Sequence, residues 1–235
     1  MNTDRQIIDT PIYSPAMAAR LVALRPERVR RWLEGYQYRY TPPRGVVSQT
    51  RQRAPVVARH GTRGSRFASF LDLIDLLFVK RFVEAGISLQ RLRLALDEAT
   101  KLIGDDHFAQ EKFWTNGKDI YVQVKDDSVA LMQLLSRGQW VIAPVIKQTA
   151  LQIDFSEVTG LAEKWFPLGR AKRVVLDPNI AFGSPCLLGR GIETANIYDL
   201  YKAEKENLKA VCSWMNLHER EVLDAVEFER MLEAA

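Results

Sequence analysis

Lysine is missing from the first sixty-six residues, although that stretch holds thirteen arginines and only four acids. Thirteen minus four makes it +9. The whole chain sums to +4, so the remaining residues sum to −5. A charge asymmetry of this size between two ends of one chain marks a partner of opposite charge for each.

Other scarcities exclude whole classes. Two cysteines and three histidines in 235 residues argue against a disulfide scaffold and against a site built from several metal ligands. No apolar run approaches the roughly 18–20 residues that cross a bilayer, and Met1–Asp9 carries no apolar stretch of the kind found in a secretory leader. The expectation is a cytoplasmic protein in which Cys186 and Cys212 stand as thiols, with a pairing between them as the alternative. His107 and Glu111 are four apart, as on a metal-binding helix, but no further Cys or His lies near; an acidic helix start is the simpler reading. Neither a Ser/His/Asp or Cys/His set nor a Gly-x-x-x-x-Gly-Lys loop is suggested. We therefore expect no enzyme and no cofactor.

What is present is an apolar share of 47% and a charged share of 26%, the balance of an ordinary globular chain. Ser14–Glu34 reads as two short helices turning at Leu24-Arg25, with Pro26 at the first helical position of the second. Met17, Ala18, Leu21, Val22, Val29, Trp32 and Leu33 form their shared core. Arg25, Glu27, Arg28, Arg30 and Arg31 are left at the exposed start of the second helix, where a helix-turn-helix presents side chains to the major groove. Arginine suits that place because its planar fork can bond guanine O6 and N7 together, or phosphate oxygens. Prolines and glycines break the segment from Gln37 to Arg66. Within it Val46-Val47 and Ala54–Ala58 are the candidate strands of a small wing, to which Arg39, Arg44, Arg51 and Arg53 add charge.

Further on, Phe67–Ala85 has apolar residues at spacings of three and four (Phe70, Ile74, Leu77, Phe78, Phe82, Ala85), predicting a helix with one buried face. Gly86 ends it, and Ser88 caps a second helix over 89–103. A hairpin is predicted for 113–124 around Asn116-Gly117, a helix for 128–136, and extended pieces for 140–145 and 151–155. A short strand at 173–176 precedes turns at Asp177-Pro178 and Gly183-Ser-Pro185. Three helices close the chain: one capped by Thr194, one over 207–215, and one over 217–232 with Asn216 and Glu219 as its capping box.

Two stretches resemble known families. Tyr13-Ser-Pro-Ala-Met-Ala-Ala-Arg-Leu and Val29-Arg-Arg-Trp-Leu-Glu-Gly-Tyr36 are similar to the helix-turn-helix of MerR-like and excisionase-like winged proteins, and Phe70–Ala85 with Gly86–Arg93 resembles the next two helices. The resemblance implies that Arg30 faces phosphate, that Trp32 is core, and that the wing touches flanking backbone; the wing here is longer and richer in arginine. Val175-Leu-Asp-Pro-Asn-Ile-Ala-Phe-Gly-Ser-Pro-Cys-Leu-Leu-Gly-Arg-Gly-Ile192 resembles the signature of the domain-of-unknown-function family 433, though Gly189–Ile192 lacks that family's Thr-Arg pair. That family is linked to VapB-type antitoxins.

The expected fold is mainly α (α+β): a winged helix-turn-helix domain over 1–104, a hairpin and linking region over 105–172, and a small trihelical domain over 173–235. The expected function is that of an antitoxin that binds double-stranded DNA, represses its own operon and neutralises a cognate toxin. The resemblance alone suggests a basic ribonuclease of the PIN type as that toxin. A homodimer would match half-sites about one helical turn apart. A stand-alone regulator with a ligand-sensing C-terminal part is the alternative, and a purely protein-binding adaptor is a third. The DNA-binding residues expected are Arg25, Arg28, Arg30, Arg31, Arg39, Arg44, Arg51 and Arg53.

Overall fold

A computed structural model describes residues 7–41, 48–57, 59, 64–94, 96, 108–110 and 148–234. The expected hairpin at 113–124, the helix at 128–136, the extended pieces at Val46-Val47 and 140–145, His107 with Glu111, and Arg44 lie outside them. The architecture is mixed α and β, with small antiparallel two-stranded sheets.

Helix α1 (Pro15–Leu21) starts where the Ser14 hydroxyl accepts a hydrogen bond from the Met17 N–H, an N-cap that satisfies one of the first free donors. Helix α2 (Pro26–Glu34) follows a turn over 22–25, with Pro26 at its start as expected. Strands β1 (Tyr36–Tyr40) and β2 (Gln49–Arg53) then form an antiparallel ribbon. The ribbon does not include the expected piece at Ala54–Ala58, as far as that piece is described. Val56 and Val57 do not extend a strand; their N–H groups both donate to the Trp32 carbonyl and their side chains are buried, so they seal the ribbon's base onto α2.

Helix α3 (Phe70–Glu84) begins three residues later than expected. Ser69 and Asp72 form a reciprocal capping box that fixes the start. It is also enclosed on all sides through its first ten residues, Asp72 and Asp75 included, and Ala85 is exposed. The single apolar face expected is thus an under-reading. Both acids are engaged: Asp72 accepts from the Ser69 N–H and the Arg59 guanidinium, and Asp75 from the Ala109 N–H. Polar groups so partnered can be buried without a large desolvation penalty. Gly86 closes α3 with φ +87°, and Ser88 caps the next helical turn.

Strands β3 (Ile153–Phe155) and β4 (Ala162–Trp165) pair, as do β5 (Val174–Val175) and β6 (Cys186–Leu187). The last three helices are α4 (Thr194–Ala203), α5 (Leu208–Met215) and α6 (Glu219–Glu233). Two expected caps are corrected. Thr194 is inside α4, where its hydroxyl bonds Glu229 and the Pro185 carbonyl. Helix α6 starts at His218 and Glu221 rather than Asn216 and Glu219, because Asn216 takes a left-handed conformation (φ 52°) that ends α5. Glu221 is buried beneath Arg190 and Arg173. The two cysteines are free thiols. Burial, with the nearby Asp177 and Glu193 charges, pushes the Cys186 thiol up to about 11, so it stays protonated and unreactive.

One core cluster joins α1, α2 and α3 to β3–β5 and takes in Phe228 and Leu232 of α6. A second, around Ile197, Val211, Val222 and Val226, belongs to α4–α6. Tyr13, fully enclosed, donates to the Gly183 carbonyl at 2.8 Å, tying the segment before α1 to the turn before β6. Among the described residues no helix is long and apolar enough to cross a membrane, and no group of His, Cys, Asp and Glu could hold a metal.

Candidate nucleic-acid interface

The site is built from α2, the ribbon and the contacts that hold the two together. Val29, Trp32 and Leu33 turn one face of α2 into the core, as the i, i+3, i+4 spacing requires. Arg25, Glu27, Arg28, Arg30 and Arg31 are left exposed. Helix α2 passes into β1 through Gly35, at φ +75°, where a Cβ would stand 2.4 Å from the Arg53 carbonyl oxygen. Only glycine allows the helix and the ribbon base to come this close.

The ribbon pairs Tyr36 with Arg53, Tyr38 with Arg51 and Tyr40 with Gln49. Directly paired residues share a face, and side chains alternate between faces. One face therefore carries Tyr36, Tyr38, Tyr40, Arg51 and Arg53; the other carries Gln37, Arg39, Thr50 and Gln52. Arg39 is thus separated from Arg51 and Arg53 by the thickness of the ribbon. Across the first face each guanidinium lies over a ring: Arg51 over Tyr40 at 4.1 Å, Arg53 over Tyr38 at 5.7 Å, and Arg31 of α2 over Tyr36 at 5.2 Å. These distances are within the reach of cation–π attraction. Arg28 lies 6.0 Å from the Trp32 ring.

No Asp or Glu stands between Glu34 and Asp72 in the chain. Arg25, Arg28, Arg30, Arg31, Arg39, Arg51 and Arg53 have no ion pair among the described residues. Arginines that would repel one another stay close without internal neutralisation.

Two further arginines serve the site from behind, and sequence reasoning missed both. Arg59 is buried; its Nε is 3.3 Å from Asp72 Oδ2, and its terminal nitrogens donate to the Ser65 and Phe67 carbonyls. It pins the chain that returns from the ribbon to the start of α3. Arg93, on the turn after Ser88, donates to the Ala54 and Pro55 carbonyls at 2.6–3.1 Å. Partial burial and then the Arg53 charge hold its guanidinium below the ordinary value, with Tyr36 opposing. Nothing in composition separates Arg59 from its exposed neighbours, and Arg93 is forty residues from the strand it braces.

The arrangement is that of a mixed α/β protein with a helix pair, a two-stranded ribbon and one uncompensated basic surface running across both. No family model matches the chain. A Mycobacterium tuberculosis protein named "Putative antitoxin VapB45" is 25% identical over 200 residues, covering 80% of this chain and 82% of that one. The crystal structure of Rv2018 from the same organism shares the fold, with a TM-score of 0.64 at 20% identity, over 93% of this chain and 98% of that one.

Proposed function

We propose that this chain is a VapB-type antitoxin: a non-enzymatic, cytoplasmic protein that binds double-stranded DNA, represses its own operon and neutralises a cognate toxin. The observation that carries the DNA reading is the uncompensated arginine surface of α2 and the ribbon, since phosphate neutralisation supplies nearly all nonspecific affinity for a duplex and a large share of specific affinity. The antitoxin reading is supported by the name of the M. tuberculosis relative and its coverage of four-fifths of the chain. In this reading Arg25, Arg28, Arg30 and Arg31 contact the major groove and its phosphates, and Arg39, Arg51 and Arg53, with Arg44, hold flanking backbone. The helix pair and ribbon act as a winged helix-turn-helix within 1–104, residues 105–172 link, and 173–235 form a trihelical unit. A homodimer matches two half-sites, and a basic ribonuclease of the PIN type is the toxin we would try first.

A mobility shift tests this with DNA from upstream of the protein's own gene against a scrambled duplex, across a salt series. Preference for the upstream duplex supports the repressor. Equal and steeply salt-dependent binding to both would leave only nonspecific attraction and remove the regulator claim.

A further inference from the structure

We propose that Tyr38 and Tyr40 are positioning residues that hold Arg53 and Arg51 in register with consecutive phosphates along one strand of duplex DNA. This deepens the DNA reading above and rests on it.

Gln49–Arg53 is exposed throughout and Tyr38 and Tyr40 are only half-buried, so packing into a core does not account for three tyrosines in alternation on one face. Each ring is covered by a guanidinium offset one step along the ladder: Arg53, paired with Tyr36, leans over Tyr38, and Arg51, paired with Tyr38, leans over Tyr40. Diagonal neighbours across an antiparallel pair are within reach of such long side chains. Arg31 over Tyr36 continues the series onto α2. Three arginines on one surface thus lean on three successive rings.

Two chemical consequences follow. A guanidinium can stack its face on a ring and still point its N–H edges outward at oxygen acceptors, which an ammonium cannot do with the same fixed geometry. The stack therefore restricts each long side chain before any ligand arrives, so less freedom is lost on binding. The spacing also suits phosphates. Residues two apart on a strand are about 6.7 Å apart, the scale of the separation between neighbouring phosphates on one strand. Unpaired bases are a poorer fit, because stacking a base on these rings would first displace the arginines that cover them. Arg93 and the Val56 and Val57 N–H groups fix the ribbon's base, so the register is carried by the fold.

The test is fluorescence anisotropy of the full chain on a labelled duplex, over a salt series, with three double variants. Tyr38→Val with Tyr40→Val keeps strand preference and charge but removes the rings. It should weaken binding roughly four- to twentyfold with the wild-type salt slope. Tyr38→Phe with Tyr40→Phe restores the rings and should bind within about twofold of wild type. Arg51→Leu with Arg53→Leu should lower the slope of log K against log salt by about 1.8, two phosphate contacts at about 0.9 each. Wild-type affinity in the valine variant, or a fall in its salt slope like that of the leucine variant, would overturn the positioning role. So would an equal loss in the phenylalanine variant, which would put the effect on the hydroxyls. Wild type that fails to bind any duplex removes the DNA reading itself, and is seen before any variant is made.

Discussion

The helices that close the chain and the helix–ribbon surface near its start treat charge in opposite ways. In and around α4–α6 many acids and bases are matched: Glu221 meets Arg190 and Arg173, Lys172 meets Asp224 and Glu227, Lys202 meets Asp199 and Glu233, and Arg230 meets Glu206. On α2 and the ribbon the arginines meet rings and solvent. Charge satisfied within the fold serves the fold. Charge that is ordered but left unneutralised is available to something outside it.

Arg59 gives the sharpest test, because it lies inside the basic segment yet is paired like a residue of the C-terminal helices. Asp72→Ala removes its buried partner and half of the α3 capping box. We expect a loss of about 3–5 kcal/mol in urea denaturation, as for other broken buried pairs. A loss under 1 kcal/mol would erase the distinction between paired and free arginines.

The exposed arginines should behave in reverse. Arg28→Ala or Arg31→Ala should weaken operator binding by about 1–3 kcal/mol while unfolding stability stays within about 0.5 kcal/mol of wild type. If no single change at Arg25, Arg28, Arg30 or Arg31 lowers operator affinity, α2 is not the recognition helix.

Smaller still is the bond between the segment before α1 and the turn before β6. Tyr13→Phe leaves the Gly183 carbonyl without its buried donor and should cost about 1 kcal/mol of unfolding free energy; an unchanged denaturation midpoint would show that the packing, not the hydrogen bond, joins the two segments.

The least effect concerns an acid of α6 that faces α1. Burial raises the Glu229 carboxyl above its ordinary 4.5, against the Thr194 hydrogen bond and the Arg20 charge. The folded state then holds that proton more tightly than the unfolded chain. The stability this contributes is complete below about 4.5 and is lost as pH rises through the folded value. Glu229→Gln, which cannot ionise, should be more stable than wild type above that window and equal to it below. Glu221 slopes the other way: the His218 N–H, with Arg190 and Arg173, holds it below 4.5, so its contribution is present above 4.5 and fades as pH falls through the folded value. Thermal melts of Glu229→Gln and Glu221→Gln from pH 3 to pH 8 compare the two signs; parallel curves would mean that neither site titrates as described.

Much of α1 and α2 was legible in the sequence because caps and packing coincide there: Ser14, Pro26, and Val29 with Trp32 and Leu33 all point to the same two helices. The ribbon is harder to read for a physical reason. Tyr36, Tyr38 and Tyr40 do alternate with polar residues, but Gln49–Arg53 is exposed throughout and has no apolar alternation to display, so the valines nearby are the more visible strand signal. Helix α3 is legible as a helix but not as an enclosed one, since Asp72 and Asp75 look like a solvated face until their partners are known. The shift of the α6 start from Asn216 to His218 turns on a single left-handed residue that composition does not mark. At the candidate site the exposed arginines could be nominated one by one. Their sorting into two ribbon faces, and the bracing from Arg59 and Arg93, depend on register and on contacts between distant segments.

The Tyr13–Gly183 bond also sets an order of events during synthesis. Its two ends are 170 residues apart, so on a ribosome adding 5–20 residues per second the tyrosine waits roughly ten to thirty seconds for its acceptor to be made. The basic end of the chain is therefore complete as a sequence long before it can be complete as a structure. A nascent chain interrupted before residue 183 would carry every arginine of the surface without the contact that secures its root.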